Sequence, residues 1–524
     1  MRRLALSVLT FFFLINITIA QTLEIDWGSF YELEKETFYQ GVVGADDDGF
    51  FVLRSDRVGG CKNAKVWLEY ISRAMYTVES SNEIIMPSVN GIETVFEKLF
   101  YIDGKLILFT SAVDNGRKQR LAYVQYLNKD GSLKNKPKEI GKMPPKNGGV
   151  DFSFELSPDK ESILFYYYTF FESYNGEPFT FKVFDSNLKE VFNKKLVPPL
   201  KGKVFTIGQV KIGNSGNIYM SAKIKQESSK RSRTSTESYE FAVISYNKQR
   251  NDFFVQNVEL KKNIVKDIAF GINKDENLVI GGFYGAKTSR DGSLGGVFYQ
   301  VFNPSIQKIV SGPIDSKTLY KPFEREEAPN FKYKRFGDPK YFYNYKLKDV
   351  FCLENGAYTF LSEHQYTDKT EIKDPQTKEV SYVHYYYNND IIAFGVNPKG
   401  VMSWIKRIPK NQYGIDDNRY MSGYKAVISK NKIKVLFNDH PSNLKNDNLE
   451  KVKQFKNNVK TSPKGLSMVV TIFNDGSLDT SVMFNNDDEK TVFVPAMLGE
   501  TKDDAFIISG QKGKFVKFGS FYIQ

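Results

Sequence analysis

The strongest constraint on this chain is a repeated punctuation, shown most fully in residues 100–133. A short apolar run stops at Asp103-Gly104, a second run covers 106–110, and a third, 121–127, stops at Asn128-Lys129-Asp130-Gly131. Short runs between Gly, Asp and Asn read as antiparallel strands, because those residues accept the positive φ that tight turns demand. Equivalent turns recur at Gly49, Gly104, Lys160, Gly216, Glu276, Gly356, Asn431 and Asp504. They are spaced about 55–60 residues apart at first and about 75–80 later, wider than the roughly 40–50 of compact propeller repeats. The extra length therefore belongs to loops.

Eight such units fit the chain, and the last runs out of sequence before a fourth strand. Residues 22–33 (TLEIDWGSFYEL) precede the first unit and read as a strand without a neighbour. Pairing of 22–33 outside 515–523 would close a ring and leave no long sheet edge open. The expected fold is all-β: a β-propeller of eight blades whose N-terminal strand completes the last, with seven blades as the alternative. Helical periodicity is rare, and one short helix is expected at 443–458, where Leu449, Val452 and Phe455 recur every three residues.

Residues 1–20 have a basic start (Arg2, Arg3), an apolar core over 4–17 and Ala20 ahead of Gln21. That pattern predicts a secretory signal peptide followed by a single domain over 21–524. No other run approaches the roughly 18 apolar residues of a membrane-spanning helix, so no transmembrane segment is expected in the mature chain. The expected location is the periplasm or the cell surface. Cys61 and Cys352, far apart, provide no disulfide framework and read as free thiols, with a bridge as the alternative. The formal charge of +12 falls by two with Arg2 and Arg3. For an exported protein, nucleic acid is a poor partner for that charge, and an envelope protein or glycan is the better one.

One unit carries a further signal. Residues 151–165 (DFSFELSPDKESILF) place Ser157-Pro158-Asp159 ahead of Ile163-Leu164-Phe165. The segment resembles the repeat of TolB-type and WD40-like extracytoplasmic propellers, in which a Ser-Pro-Asp turn separates the first two strands of a blade. Lys160 replaces the usual Gly after the Asp, and the other units lack the motif. The resemblance implies a propeller fold and says nothing about activity.

In a meander of strands a, b, c and d, the a–b and c–d turns share one end, while b–c loops and d–a crossovers share the other. The long insertions, among them 170–178, 223–238, 284–295, 363–390, 438–464 and 317–345, fall almost entirely at the second end, where functional loops are expected. All three histidines lie there. His364, His384 and His440, with Glu363, Asp390 and Asp439 nearby, are the candidate metal ligands, although their spacing matches no standard site and no cofactor is otherwise predicted. Lys230, Arg231 and Arg233, in a Ser/Thr-rich stretch, are candidate contacts to an anionic partner. Tyr385 and Tyr386 offer flat faces for a sugar ring. A Gly-x-Ser-x-Gly elbow, a DxDxDG calcium loop, repeated Asp-boxes and a tryptophan-rich blade motif are all missing from the sequence. The leading expectation is a non-catalytic binding protein of the cell envelope that works through its long-loop end. A carbohydrate-active hydrolase or lyase acting in the central depression is the alternative.

Overall fold

The structure is a computed structural model. It describes residues 24–34, 36–144, 152–168, 179–200, 202–226, 239–260, 263–286, 294–311, 320–322, 345–444, 451–457, 464–501 and 505–522. Residues 1–20, where a signal peptide is expected, and the basic residues Lys230, Arg231 and Arg233 lie outside them.

Among the described residues the chain is all-β, with two single-turn 3-10 segments at Pro441–Asn443 and Pro495–Met497. The described residues form eight sheets of four or more strands and one small hairpin, Ser88–Val89 with Ile92–Glu93. Successive sheets follow the chain, beginning with Phe38–Ala45, Gly49–Ser55, Val66–Ser72 and Val78–Glu83 as strands a to d of sheet one. Alternate side chains of each strand point to opposite faces, so each sheet offers an apolar surface to both neighbours.

Those surfaces meet in pairs around a circle. Phe51 and Leu68 of sheet one pack with Leu106 and Leu108 of sheet two, Phe109 and Val124 of sheet two with Phe165 of sheet three, and Phe181 of sheet three with Met220 and Ile244 of sheet four. Tyr219 joins sheet four to Phe298 of sheet five, Tyr299 joins sheet five to Phe360 and Phe394 of sheet six, and Leu361 and Ile391 join sheet six to Val435 and Val470 of sheet seven. Leu436 of sheet seven meets Phe506 and Ile508 of sheet eight, and Val516 and Phe518 of sheet eight meet Tyr39 and Val52 of sheet one. Each fully buried Leu, Phe or Val contributes about 1.5–3 kcal/mol. This is a β-propeller held by its inter-sheet cores.

The N-terminal segment closes it. Asp26 and Trp27 pair with Ser520 and Gly519, and Tyr31 and Glu32 pair with Val516 and Phe515, placing 26–32 outside the strand Phe515–Tyr522. Gly519 is needed for this approach, because a Cβ there would stand 2.5 Å from the Asp26 carbonyl oxygen. Trp27 then packs edge-on against Phe484 at 5.4 Å, with the Lys517 ammonium 4.4 Å from its ring centre.

The turns anticipated from sequence take the left-handed backbone. Gly104, Gly216 and Gly356 have φ of 72°, 85° and 85°, and Lys160, Glu276 and Asn431 reach 60°, 58° and 57° without being glycine. In the Ser-Pro-Asp turn, the Lys160 N–H donates to the Ser157 carbonyl at 2.9 Å, and the Asp159 carboxylate accepts from Ser157 Oγ and the Glu161 N–H. Two expectations need correction. Residues 363–390 are mostly strand, because b and c of sheet six run as Tyr358–Lys373 and Val380–Val396 in one long hairpin. No α-helix forms over the described part of 443–458. Instead Phe455–Lys456 adds a parallel strand to Gln412–Tyr413, since Phe455 is buried among Tyr420, Met421 and Val492 and anchors the segment extended.

Candidate functional site

The long-loop end of sheet six is polar where the sequence pattern calls for core. Its strands are Tyr345–Cys352, Tyr358–Lys373, Val380–Val396 and Met402–Ile415. Fully buried Glu363 on strand b accepts hydrogen bonds from Lys410 Nζ at 2.7 Å, Lys348 Nζ at 2.6 Å and Asn388 Nδ2 at 2.9 Å. Lys410, also fully buried, donates in addition to the Asn388 carbonyl at 2.9 Å and Gln412 Oε1 at 3.3 Å. Gln412 links this group to sheet seven by donating to the Asn438 carbonyl, while its own Oε1 accepts from the Gly423 N–H at 2.7 Å. Burial alone would raise the Glu363 carboxyl. The two ammonium groups, Lys410 foremost, outweigh that and hold it below the ordinary carboxylate range.

Asp439 lies at the same end of sheet seven and is pushed the other way. Burial raises its carboxyl to about 6, against weaker lowering by Asn443 Nδ2 at 2.7 Å, the His440 N–H at 2.8 Å and the charge of Lys410. Seven buried polar atoms around this network have no partner among the described residues: Asn388 Oδ1, Asn389 Oδ1, Asp390 Oδ1, Asp417 Oδ2, Arg419 Nε, Asn457 Oδ1 and Asn486 Nδ2. Native interiors leave few such atoms, so a concentration at one end of two adjacent sheets points to a polar site.

The crossover from sheet six to sheet seven roofs this site under strain. Asp416, Asn418 and Arg419 all have positive φ (49°, 45° and 64°). Left-handed backbone at a non-glycine residue costs about 1–3 kcal/mol and collects at functional positions. The crossover holds the Arg419 guanidinium 4.8 Å from the Tyr386 ring centre, with Nη2 donating to Thr367 Oγ1 at 2.7 Å and to the Tyr366 carbonyl at 3.2 Å.

The residues singled out from sequence fall differently. Tyr385 and Tyr386 are neighbours in one strand and so face opposite sides of the hairpin; Tyr386 alone meets Arg419. The histidines do not gather. His364 is buried against Tyr345 and contacts Asn389 Nδ2 at 3.4 Å. His384 pairs with Lys369, five residues and roughly 17 Å further along the hairpin at about 3.3 Å per residue. His440 turns its Nδ1 to the Ser442 N–H at 3.1 Å and caps a 3-10 turn. Among the described residues no three His, Cys, Asp or Glu side chains converge as metal ligands. Both cysteines are free, in different inter-sheet cores, and burial pushes each thiol up to about 12.

Lys348, Lys410, Gln412 and Arg419 were not anticipated. The visible signal was a polar residue where an alternating strand calls for an apolar one, as in Lys410 and Gln412 of SWIKRIPKNQYGI and in Asn388-Asn389-Asp390.

No family model and no curated protein sequence matches the chain. Solved structures with a similar arrangement include the β-propeller domain of the trilobed protease from Pyrococcus furiosus, 9% identical, covering 85% of this chain and 98% of that one at a TM-score of 0.33. Prolyl oligopeptidase B from Galerina marginata is 8% identical over 92% of this chain and 55% of its own, with a TM-score of 0.38. The chain thus spans about half the length of that oligopeptidase. An endo-arabinase from Bacteroides thetaiotaomicron is 12% identical over 51% of this chain and 94% of its own, at 0.22. Among the described residues no helix is long and apolar enough to cross a membrane.

Proposed function

We propose that this chain is an exported, eight-bladed propeller that binds a glycan of the cell envelope at the long-loop end of sheets six and seven. The observation that carries the reading is the cluster of seven unpartnered buried polar atoms beside the half-buried cations Lys348 and Arg419. Amide oxygens, a carboxylate and guanidinium N–H groups next to a tyrosine ring are the donors and acceptors that hydroxyl-rich ligands engage. The eight-sheet circle and the N-terminal strand on its last sheet support the blade count, and the sequence of residues 1–20 supports export.

The test is binding of the chain lacking residues 1–20 to immobilised lipopolysaccharide, capsular polysaccharide and peptidoglycan fragments. The expected result is capture of one of them by the wild type and at least about tenfold weaker capture by Arg419→Ala and Lys348→Ala, the loss of one charge-assisted hydrogen bond. A wild type that captures none refutes the reading and leaves an envelope protein as the partner class.

A second reading, a carbohydrate-active hydrolase or lyase, is favoured by one observation. Glu363 and Asp439 flank Lys410 with their carboxyls pushed in opposite directions, the pattern of an ionised group beside a proton donor. Release of reducing ends from the same polysaccharides, abolished by Asp439→Asn, would establish it; unchanged polysaccharides exclude it.

A further inference from the structure

The sheet-six hairpin runs on past the strands beside it, and its two faces differ in charge. Among the described residues strand a stops pairing at His364 and strand d at Tyr385, while b and c continue together. Beyond Gln365 their register is unbroken, with Thr367 opposite Tyr386, Lys369 opposite His384, Glu371 opposite Tyr382 and Lys373 opposite Val380. Residues directly opposed in an antiparallel pair share a face, as do residues two apart along a strand. Lys369, Glu371, Lys373 and His384 therefore stand on one face with Tyr382 and Tyr386. The other face, with Ile372, Val383 and Tyr385, has Asp368 as its one charged residue in the paired stretch.

The basic groups of the first face are not equivalent. Lys373 Nζ stands 3.7 Å from Glu371 Oε1, and His384 Nδ1 stands 3.5 Å from Asp416 Oδ1 of the crossover. Lys369 and Arg419 form no ion pair among the described residues. Each rests on a tyrosine instead: the Lys369 ammonium lies 4.6 Å from the Tyr382 ring centre, and the Arg419 guanidinium 4.8 Å from that of Tyr386. A cation seated on a ring keeps N–H groups for an acceptor from solvent. Tyr382 and Tyr386 are four residues apart on strand c, which sets the two cation–tyrosine pairs roughly 13 Å apart at about 3.3 Å per residue. His384 stands between them, its ring centre 6.3 Å from that of Tyr386. Tyr382 is 47% exposed, Lys369 is exposed and Arg419 is half-buried, so a polymer can lie along the whole stripe.

We propose that this face of the hairpin docks an acidic polysaccharide, a glycan with carboxylates on its sugar rings, whose acid groups sit on Lys369 and Arg419. Its intervening hydroxyls meet Thr367, His384 and the two tyrosine hydroxyls. Such docking rests on the glycan reading above and narrows it by charge: two cations without carboxylate partners call for anions, and the formal charge of +12 favours their approach. Nucleic acid fits less well, because bases stack on open ring faces, and Tyr382 and Tyr386 each give a face to a cation. An acidic peptide brings the charges without the hydroxyls that the neutral groups between them would engage.

The experiment is biolayer interferometry of the chain lacking residues 1–20 on immobilised polygalacturonate, with carboxyl-reduced polygalacturonate, dextran, poly-glutamate and single-stranded DNA as comparisons. Wild type should bind polygalacturonate about tenfold or more tighter than each of the four. Lys369→Gln should weaken that binding about fivefold or more, whereas Lys373→Gln, which removes the same charge from a residue already paired with Glu371, should change it by less than about twofold. Lys369→Arg should retain it, and melting temperatures within a few degrees of wild type would show that the variants fold. Binding present in about 0.1 M salt should be lost in about 1 M, where the screening length falls to about 3 Å. Equal binding of the carboxyl-reduced polymer, of poly-glutamate or of DNA would overturn the proposal, as would equal losses from Lys369→Gln and Lys373→Gln. Capture of an envelope polysaccharide without binding to polygalacturonate overturns the acidic-polysaccharide site and leaves the glycan reading standing; capture of no polysaccharide at all removes both.

Discussion

The two ends of the ring are built on opposite rules. At the short-turn end, strands meet through tight turns whose left-handed positions go to Gly104, Gly216, Gly356, Asn431 and, under strain, Lys160 and Glu276. Polar side chains there satisfy their own turn, as Asp159 does for Ser157 and Glu161. At the long-loop end of sheets six and seven, charged and amide groups are buried, bonded across sheets and left partly unpartnered. The first end is chemistry for reversing a chain; the second holds groups that closing the ring does not require. A β-ring needs only the first, so the second is where activity is sought.

The sharpest break of this contrast is Lys410→Met. It removes one partner of a fully buried pair and leaves Glu363 to Lys348 and Asn388. Such a loss costs about 3–5 kcal/mol, read as a drop in the unfolding free energy in urea. Little change would mean the network is solvated and not part of the core.

A second test uses pH. The folded Asp439 carboxyl is raised from 3.8 to about 6, so between those values the folded chain binds more protons than the unfolded one. Its contribution is therefore greatest at low pH and is lost as pH rises through about 6, an effect of about 2–3 kcal/mol at most. Asp439→Asn should flatten that part of the stability profile, measured by denaturation at steps from pH 4 to 7. An unchanged slope would assign the proton uptake elsewhere, Asp267, also raised to about 6, being the next candidate.

Effects at the short-turn end should be smaller. Gly356→Ala places a side chain at φ 85° with open space around it, so only backbone strain acts, about 1–2 kcal/mol. Lys160→Gly should do the reverse and stabilise by up to about 1 kcal/mol, read as a rise in melting temperature. Failure of Lys160→Gly to stabilise would show that the Ser157–Asp159 turn absorbs the strain.

Much of the fold was legible because turn chemistry and apolar runs are local. The strand boundaries near Gly104, Gly216 and Gly356, and the N-terminal segment on the last strand, follow from residues adjacent in sequence or from one unmatched strand. The site was not legible in the same way. Glu363, Lys410 and Asn438 are brought together by sheet packing across 76 positions (363 to 438), and no local pattern marks that meeting. The histidines misled because a strand continuing past Glu363 sets His384 opposite Lys369, five residues along the hairpin from His364. Val452 and Phe455 suggested a helix, yet Phe455 is drawn extended into the core between sheets eight and one.

The most direct measurement compares the two ends with one probe. Residues 367–385 of the sheet-six hairpin are replaced by a two-residue turn, and separately residues 129–136 at the short-turn end are shortened. Both chains are then assayed for capture of lipopolysaccharide, capsular polysaccharide and peptidoglycan fragments alongside the wild type. Capture lost with the first change and kept with the second, at similar melting temperatures, is the predicted result; capture kept with the first change contradicts the placement of function at the long-loop end.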